Sequence, residues 1–249
     1  MKPFTIGAQL YIFQEKFDLE RSLDVILEGL AQAGYGAVEG SPGQETDYRQ
    51  ELDRLGLRYI APHVNPSKLK DLGAIAAYLR VMGGKDICSS GLLEWNRRAA
   101  DDYRAAIRFL NEAGRQLRAQ GIHLHYHNHE FEFERVEGDR TGMDLLLEGL
   151  DADATDLGLD VGWVWRAGLD TARFLREHRE RIGYIHLRDF RGAESVPIGQ
   201  GEMELAPIMD ALHELPHLRW VVVEQDPTAP DPMQAMRDSR NYLKIHFGL

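Results

Sequence analysis

The chain of 249 residues has a single cysteine, Cys88. That excludes an intrachain disulfide and any zinc site built from several thiolates, and it fits a reducing compartment. No apolar run approaches the roughly 20 residues that a membrane-spanning helix needs. One lysine precedes an apolar stretch at the N-terminus, but Gln9, Gln14 and Glu15 interrupt it and no small-residue cleavage site follows. This segment therefore reads as a first strand, not a signal peptide. The expectation is a cytoplasmic protein with no membrane partner. Basic residues are also scarce: 29 Lys and Arg against 40 Asp and Glu leave a net charge of −11. A general binder of phosphate backbones needs a basic surface, so no nucleic-acid partner is expected, although one locally basic cleft is allowed. No Walker loop or GxGxxG follows the first strand. No Pro/Gly/Ser-rich linker or low-complexity run divides the chain.

Short apolar runs alternate with longer amphipathic segments. Hydrophobic residues at 43% and charged residues at 28% are globular values. Strands are expected at Phe4 to Tyr11, at GAVEG ending on Glu39, at LRYIAPH ending on His63, and at DICSS. Four more follow at IHLHYHNH, LGLDVGWV, YIHLRDF and WVVVEQD. Helical spacing appears over Leu19 to Gly34, Tyr48 to Leu55, Lys68 to Val81, Ala99 to Gln120, Gly142 to Leu150, Thr171 to His178, Leu205 to Leu212 and Pro232 to His246. The strand-end polar residues Gln9, Glu39, His63, Ser90, His127, Asp160, His186 and Glu224 recur every 24 to 38 residues, the length of one βα unit. Eight such units define a single (β/α)₈ TIM barrel occupying residues 1–249 as one domain. A doubly wound open sheet is the lesser alternative.

In such barrels the C-terminal strand ends build the active site. Side chains alternate along a strand, so parity assigns the lumen-facing residues. Parity turns Tyr184, His186 and Arg188 inward, with Gly158 and Asp160, with Trp220, Val222 and Glu224, and with His125, His127 and His129. Taken singly, a strand-end carboxylate is ordinarily a cap and a strand histidine a satisfied core residue. The Trp163/Trp165 pair reads first as packing, and Arg173, Arg176, Arg179 and Arg181 as a solvated helix face. As a set, Asp160, His186 and Glu224 recur at one position on consecutive strands. Several buried charges without a cation or other partner would cost several kcal/mol per ion. A set of Asp, Glu and His suits one divalent ion, Mn²⁺, Zn²⁺, Co²⁺ or Mg²⁺.

On these segments, IGAQLY, YHNHEFEF, LDVGWVWRAG, IHLRDF, PIGQGEMEL and VVVEQD, nearly the whole chain resembles the sugar phosphate isomerase/epimerase family of xylose isomerase-like TIM barrels. The resemblance implies a divalent metal held by a Glu, an Asp, a His and a second Glu on four successive strands. Asp160, His186 and Glu224 match the last three. Where the better-known ketose epimerases carry the first Glu, this chain has His127, and Glu132 just beyond is the available carboxylate. Glu132 is therefore the expected fourth ligand, with His127 or His129 completing or replacing it. The His that those epimerases carry three residues after the metal Asp is here Trp163, so their proton relay is not carried over. The inosose dehydratase branch is similar too, with a His-rich fifth strand and a closing VVEQD.

The expected chemistry is proton abstraction beside a carbonyl of a sugar, keto-sugar or inosose, with a metal-stabilised enediolate. Glu224 or Glu132 takes the proton, while His127 and His129 are candidates to return it or to expel a hydroxyl. Gln9, Glu39, His63, Trp163 and Arg188 are the expected substrate-binding residues, Arg188 for a phosphate or carboxylate. An isomerase or epimerase leads and a dehydratase is the alternative. An apurinic endonuclease or a non-catalytic sugar-binding barrel stands further off. The partner is a small carbohydrate, and helix-face patterning leaves homo-oligomers open.

Overall fold

The computed structural model describes residues 4–41 and 45–249, so the lysine of the N-terminal reading, Lys2, lies outside the described residues. Along the chain run β1 (Thr5–Gln9), α1 (Leu23–Ala33), β2 (Ala37–Glu39), α2 (Glu45–Leu55), β3 (Arg58–Tyr59), β4 (His63–Val64), α3 (Leu72–Met82) and β5 (Asp86–Ser90). Then come α4 (Ala100–Arg118), β6 (His123–His127), a hairpin of β7 (Arg135–Glu137) and β8 (Arg140–Thr141), α5 (Gly142–Gly149) and β9 (Thr155–Asp160). The last part holds α6 (Val161–Arg166), α7 (Thr171–Glu177), β10 (Ile182–Leu187), a second hairpin of β11 (Asp189–Arg191) and β12 (Glu194–Val196), α8 (Leu205–His213), β13 (Trp220–Val223) and α9 (Pro232–Phe247).

Nine of these strands form one parallel sheet in the order β3-β2-β1-β13-β10-β9-β6-β5-β4. Its two ends belong to one stretch of chain. The Ile60 N–H donates to the Val38 carbonyl at 2.9 Å, and the Cys88 N–H donates to the Pro62 carbonyl at 3.0 Å. Residues 58–64 thus bridge β2 and β5 and close the sheet. Pro62 has no N–H to give the ladder, which is why LRYIAPH forms two short strands instead of one. Counting that stretch once gives the eight strand positions expected of a TIM barrel.

Local chemistry explains where the elements start and stop. In α4, Tyr103, Ala106, Ile107, Leu110, Ala113 and Leu117 recur at helical spacing on the buried face. Asp101 and Asp102 occupy its first turn and Arg115 and Arg118 its last, complementing the helix dipole. The first strand stops at Gln9, two residues earlier than its apolar run, because the Gln9 side chain accepts the Tyr11 N–H at 2.6 Å and starts a 3₁₀ turn. LGLDVGWV likewise divides at Asp160, whose carboxylate caps Gly162 and Trp163 and turns VGWV into helix.

Most apolar side chains pack between sheet and helices. A smaller cluster, Ala37, Ile60, Ala61, Cys88, Tyr184 and Val222, fills the barrel lumen. That layer floors the site above it. Gly162, in the first turn of α6, has no room for a side chain: a Cβ there would lie 2.6 Å from Phe190 Cε2 and 2.8 Å from Arg188 Cβ. No helix among the described residues is long and apolar enough to cross a membrane.

Candidate active site

Register places the strand-end side chains side by side. Gln9 lies opposite Glu39, Ser90 opposite His127, and Asp160 opposite His186. Glu224 follows β13, anchored by its N–H to the Leu187 carbonyl at 3.1 Å.

Glu39 is fully buried and is the hub of one half of the site. It accepts from His186 Nε2 at 2.7 Å, from the Tyr184 hydroxyl, and from Gln9 Nε2 at 3.3 Å, and it pairs with His63 Nδ1 at 2.8 Å. Burial alone would raise its pKa, but His186 and His63 outweigh that and hold the carboxyl well below the usual range. His63 Nε2 in turn meets Ser90 Oγ at 3.0 Å.

Arg188, also buried, organises the other half. Its Nε donates to Asp160 Oδ2 at 2.7 Å, its Nη2 to Glu224 Oε1 at 2.5 Å, and its Nη1 to Asp226 Oδ1 at 2.6 Å. Asp160 Oδ1 accepts the Gly162 amide at 2.9 Å, so both of its oxygens are engaged. Burial raises Asp160 to about 6, still ionised at neutral pH, with Arg188 opposing the rise. Burial likewise works against ionised Glu224, and Arg188 and His186 more than offset it.

Between these halves His127, His186 and Glu224 converge. His127 Nδ1 lies 2.5 Å from His186 Nδ1, and His186 Nδ1 lies 3.4 Å from Glu224 Oε2. Two ligands of one cation, each about 2.1 Å from it, sit within about 4 Å of each other. Two buried atoms here, His127 Nε2 and Glu224 Oε2, have no hydrogen-bond partner among the described residues. Buried polar atoms are ordinarily paired. Because His186 Nε2 faces the Glu39 carboxylate, that nitrogen carries the proton, and Nδ1 offers its lone pair once the ring is neutral. Burial lowers the His186 pKa, yet Glu39 and Glu224 drive it up to about 9, so a positive charge is favoured at this point. The donor set fits a divalent ion. A second group of converging atoms, from Glu39, His63, Cys88 and His186, shares His186.

The pocket above encloses about 490 Å³, a volume suited to a small ligand. Gln9, His63, His129, Trp163, Arg188 and Glu224 line it. Glu39 does not; it stands behind His63. Burial lowers His129 to about 3, so the ring is neutral, and its buried Nδ1 has no partner. Burial and neighbouring cations also keep His127 neutral.

The expected fourth ligand, Glu132, is not brought to this cluster. It lies in a 3₁₀ turn, Glu130–Phe133, that begins after β6 has ended. There it accepts from the outward-facing Tyr126 hydroxyl at 2.6 Å and from the His129 N–H at 2.7 Å. It also belongs to neither group of converging donors among the described residues. Its two oxygens are thus engaged by Tyr126 and His129, away from the converging donors where a ligand and proton acceptor was expected. Asp160 joins the cluster only at its edge, its Oδ2 4.0 Å from His127 Nε2. The sequence reading missed Asp226, Tyr11 and Trp95, which also line the pocket. No spacing signal marks them, because each comes from a loop or turn.

A closed parallel barrel with convergent His and carboxylate groups at its strand ends defines a TIM-barrel enzyme site by architecture. Residues 27–246 match the family described as xylose isomerase-like TIM barrel, and the chain belongs to that family. It is similar to an inosose dehydratase of Geobacillus kaustophilus, at 25% identity over 88% of this chain and 86% of that one. Its fold is similar to a crystal structure of a sugar phosphate isomerase/epimerase from Parabacteroides distasonis, with TM-score 0.79, 22% identity and coverage of 99% and 96%. It is also similar to the IOLI protein solved with a zinc atom, with TM-score 0.76, 14% identity and coverage of 99% and 100%.

Proposed function

We propose that the protein is a divalent-metal-assisted enzyme that removes a proton beside a carbonyl of a polyhydroxylated substrate, such as a keto-sugar or inosose. The observation that carries this reading is the convergence of His127, His186 and Glu224 under the pocket, with His127 Nε2 and Glu224 Oε2 left unpaired. These three residues would hold the metal. When bound, the ion would supply a Lewis acid for the carbonyl and for the charge that develops on enolisation.

The protein's own groups do the rest. Arg188 holds Glu224 and Asp160 ionised and fixes their orientation. Trp163 and Trp95 wall the pocket, and Gln9 reaches toward Glu39 and His63 at its base. His63 is the acid/base group best supported by geometry. It lines the pocket, and Glu39 fixes its Nδ1 as an orienting carboxylate does in other imidazole bases. Glu224 has Oε1 held by Arg188 and Oε2 turned to the metal cluster, so His63 would take the proton from carbon through Nε2 and deliver a second proton from the same nitrogen.

That second proton decides the product. Returned to carbon, it gives epimerisation or isomerisation; delivered to a neighbouring hydroxyl, it gives water and an enol that becomes a dehydrated ketone. With Glu132 turned away, the pocket offers an oriented imidazole for the proton transfers, not two opposed carboxylates. That favours the dehydratase reading, as does the long similarity to an inosose dehydratase.

The test is isotope exchange. Protein loaded with Mn²⁺ or Co²⁺ and incubated in deuterated water with a panel of inososes and ketoses should place deuterium next to the carbonyl of at least one. A conjugated or dehydrated product would mark elimination. Failure of metal-loaded protein to exchange any member, or full activity in His186→Ala, would overturn the reading.

A further inference from the structure

A cavity of about 770 Å³ lies at the other end of the barrel. Residues that open their strands surround it: Thr5 of β1, Arg58 of β3, Asp86 of β5, His123 of β6 and Trp220 of β13. The site described above uses the strands' last residues, so the two share no lining. Arg49, Lys85 and Arg219 also line this cavity.

In a chain of net charge −11, the cavity reverses the sign. Four Lys and Arg side chains face it against two carboxylates, Asp53 and Asp86. Both carboxylates are already taken. Asp53 accepts Arg49 Nε at 2.9 Å. Asp86 is buried and accepts Arg219 Nη2 at 2.7 Å and the Trp220 indole at 2.9 Å, with His125 Nε2 at 2.8 Å. Arg58 and Lys85 have no ion-pair partner among the described residues. Arg58 is nevertheless held in place, its guanidinium stacked 4.7 Å above the Trp220 ring and bonded to Thr5 Oγ1. Arg219 Nε is buried without a hydrogen-bond partner. His123 reports the local field: burial first, then Arg219 and Arg118, depress its pKa to about 4, with only Asp86 opposing.

We propose that this N-terminal cavity binds a small multivalent anion, of the phosphate-ester or polycarboxylate type, through Arg58, Lys85 and Arg219. Clustered anionic oxygens match a planar guanidinium and an ammonium that have no carboxylate of their own. The Trp220–Arg58 stack forms part of one wall. The site is independent of the chemistry at the opposite end.

Pyrophosphate and citrate, titrated separately into the intact protein at matched ionic strength, distinguish the two sources. Calorimetry should show one saturable anion per chain for at least one of them. The exposed double variant Arg58→Gln/Lys85→Gln should weaken that binding tenfold or more while keeping the melting temperature of the unliganded protein. In the saturated protein, NMR should show His123 titrating at higher pH than in the free protein. Two results overturn the proposal. One is that neither anion binds. The other is that binding persists in the double variant with His123 unmoved, which would mark an adventitious ion only.

Discussion

Replacing Glu132 with Gln separates two accounts of the same residue, one as a metal ligand and the other as a neutral brace behind the barrel wall. Glu132 is wholly buried, and burial pushes its pKa from the ordinary 4.5 up to about 8, with Tyr126 and the His129 N–H opposing. A carboxyl with a raised native pKa favours the folded state while protonated. Its stabilisation is therefore complete below about pH 4.5 and is lost as pH rises to about 8. The gap corresponds to at most roughly 5 kcal/mol, lost at about 1.4 kcal/mol per pH unit between those limits. Glutamine satisfies the same partners, its carbonyl accepting the His129 N–H and its amide donating to the Tyr126 oxygen. Glu132→Gln should then keep bound metal and activity. Urea melts from pH 5 to 9 should show the variant losing less stability with rising pH than the parent. Glu132→Ala should cost about 1–3 kcal/mol at pH 5, because the buried N–H and hydroxyl lose their partner. A Gln variant that loses its metal, or whose stability follows the parent's pH slope, would rule out a neutral bracing role for Glu132.

Three other substitutions probe the site. Arg188→Met strips the guanidinium from Asp160 and Glu224 and should cost about 3–5 kcal/mol in urea unfolding; a cost below 1 kcal/mol would mean the carboxylates have another partner. Gly162→Ala places a methyl against Phe190 and Arg188 and should cost about 1–3 kcal/mol by the same assay. Glu39→Gln removes the charge that fixes His63 and His186. It should lower kcat at least tenfold and shift the pH–rate profile, and an unchanged profile would remove His63 from the acid/base role.

Much of the barrel was readable because repetition does not depend on distant contacts. Strand ends spaced by one βα unit, and the inward parity of His127, His186 and Arg188, follow from backbone geometry. The failures sit where the strand stops. The resemblance called for a carboxylate near His127 and Glu132 was the one available, but the chain there turns into a 3₁₀ segment that sends the carboxylate toward Tyr126. At Asp160 the same change appears as helix where strand was expected, since the carboxylate caps the next turn. A buried cation among the carboxylates was anticipated as a metal. Arg188 supplies part of it, and its link to Asp226 spans 38 residues, which no local pattern reveals. The basic cavity at the other end is equally non-local, since Arg58, Lys85 and Arg219 come from segments far apart in the chain.

An anomalous difference map from crystals grown with Mn²⁺ tests the metal site most directly. One strong peak is expected within bonding distance of His127, His186 and Glu224, with Glu132 still bonded to Tyr126. A peak coordinated by Glu132, or no peak at the strand ends at saturating Mn²⁺, would contradict it.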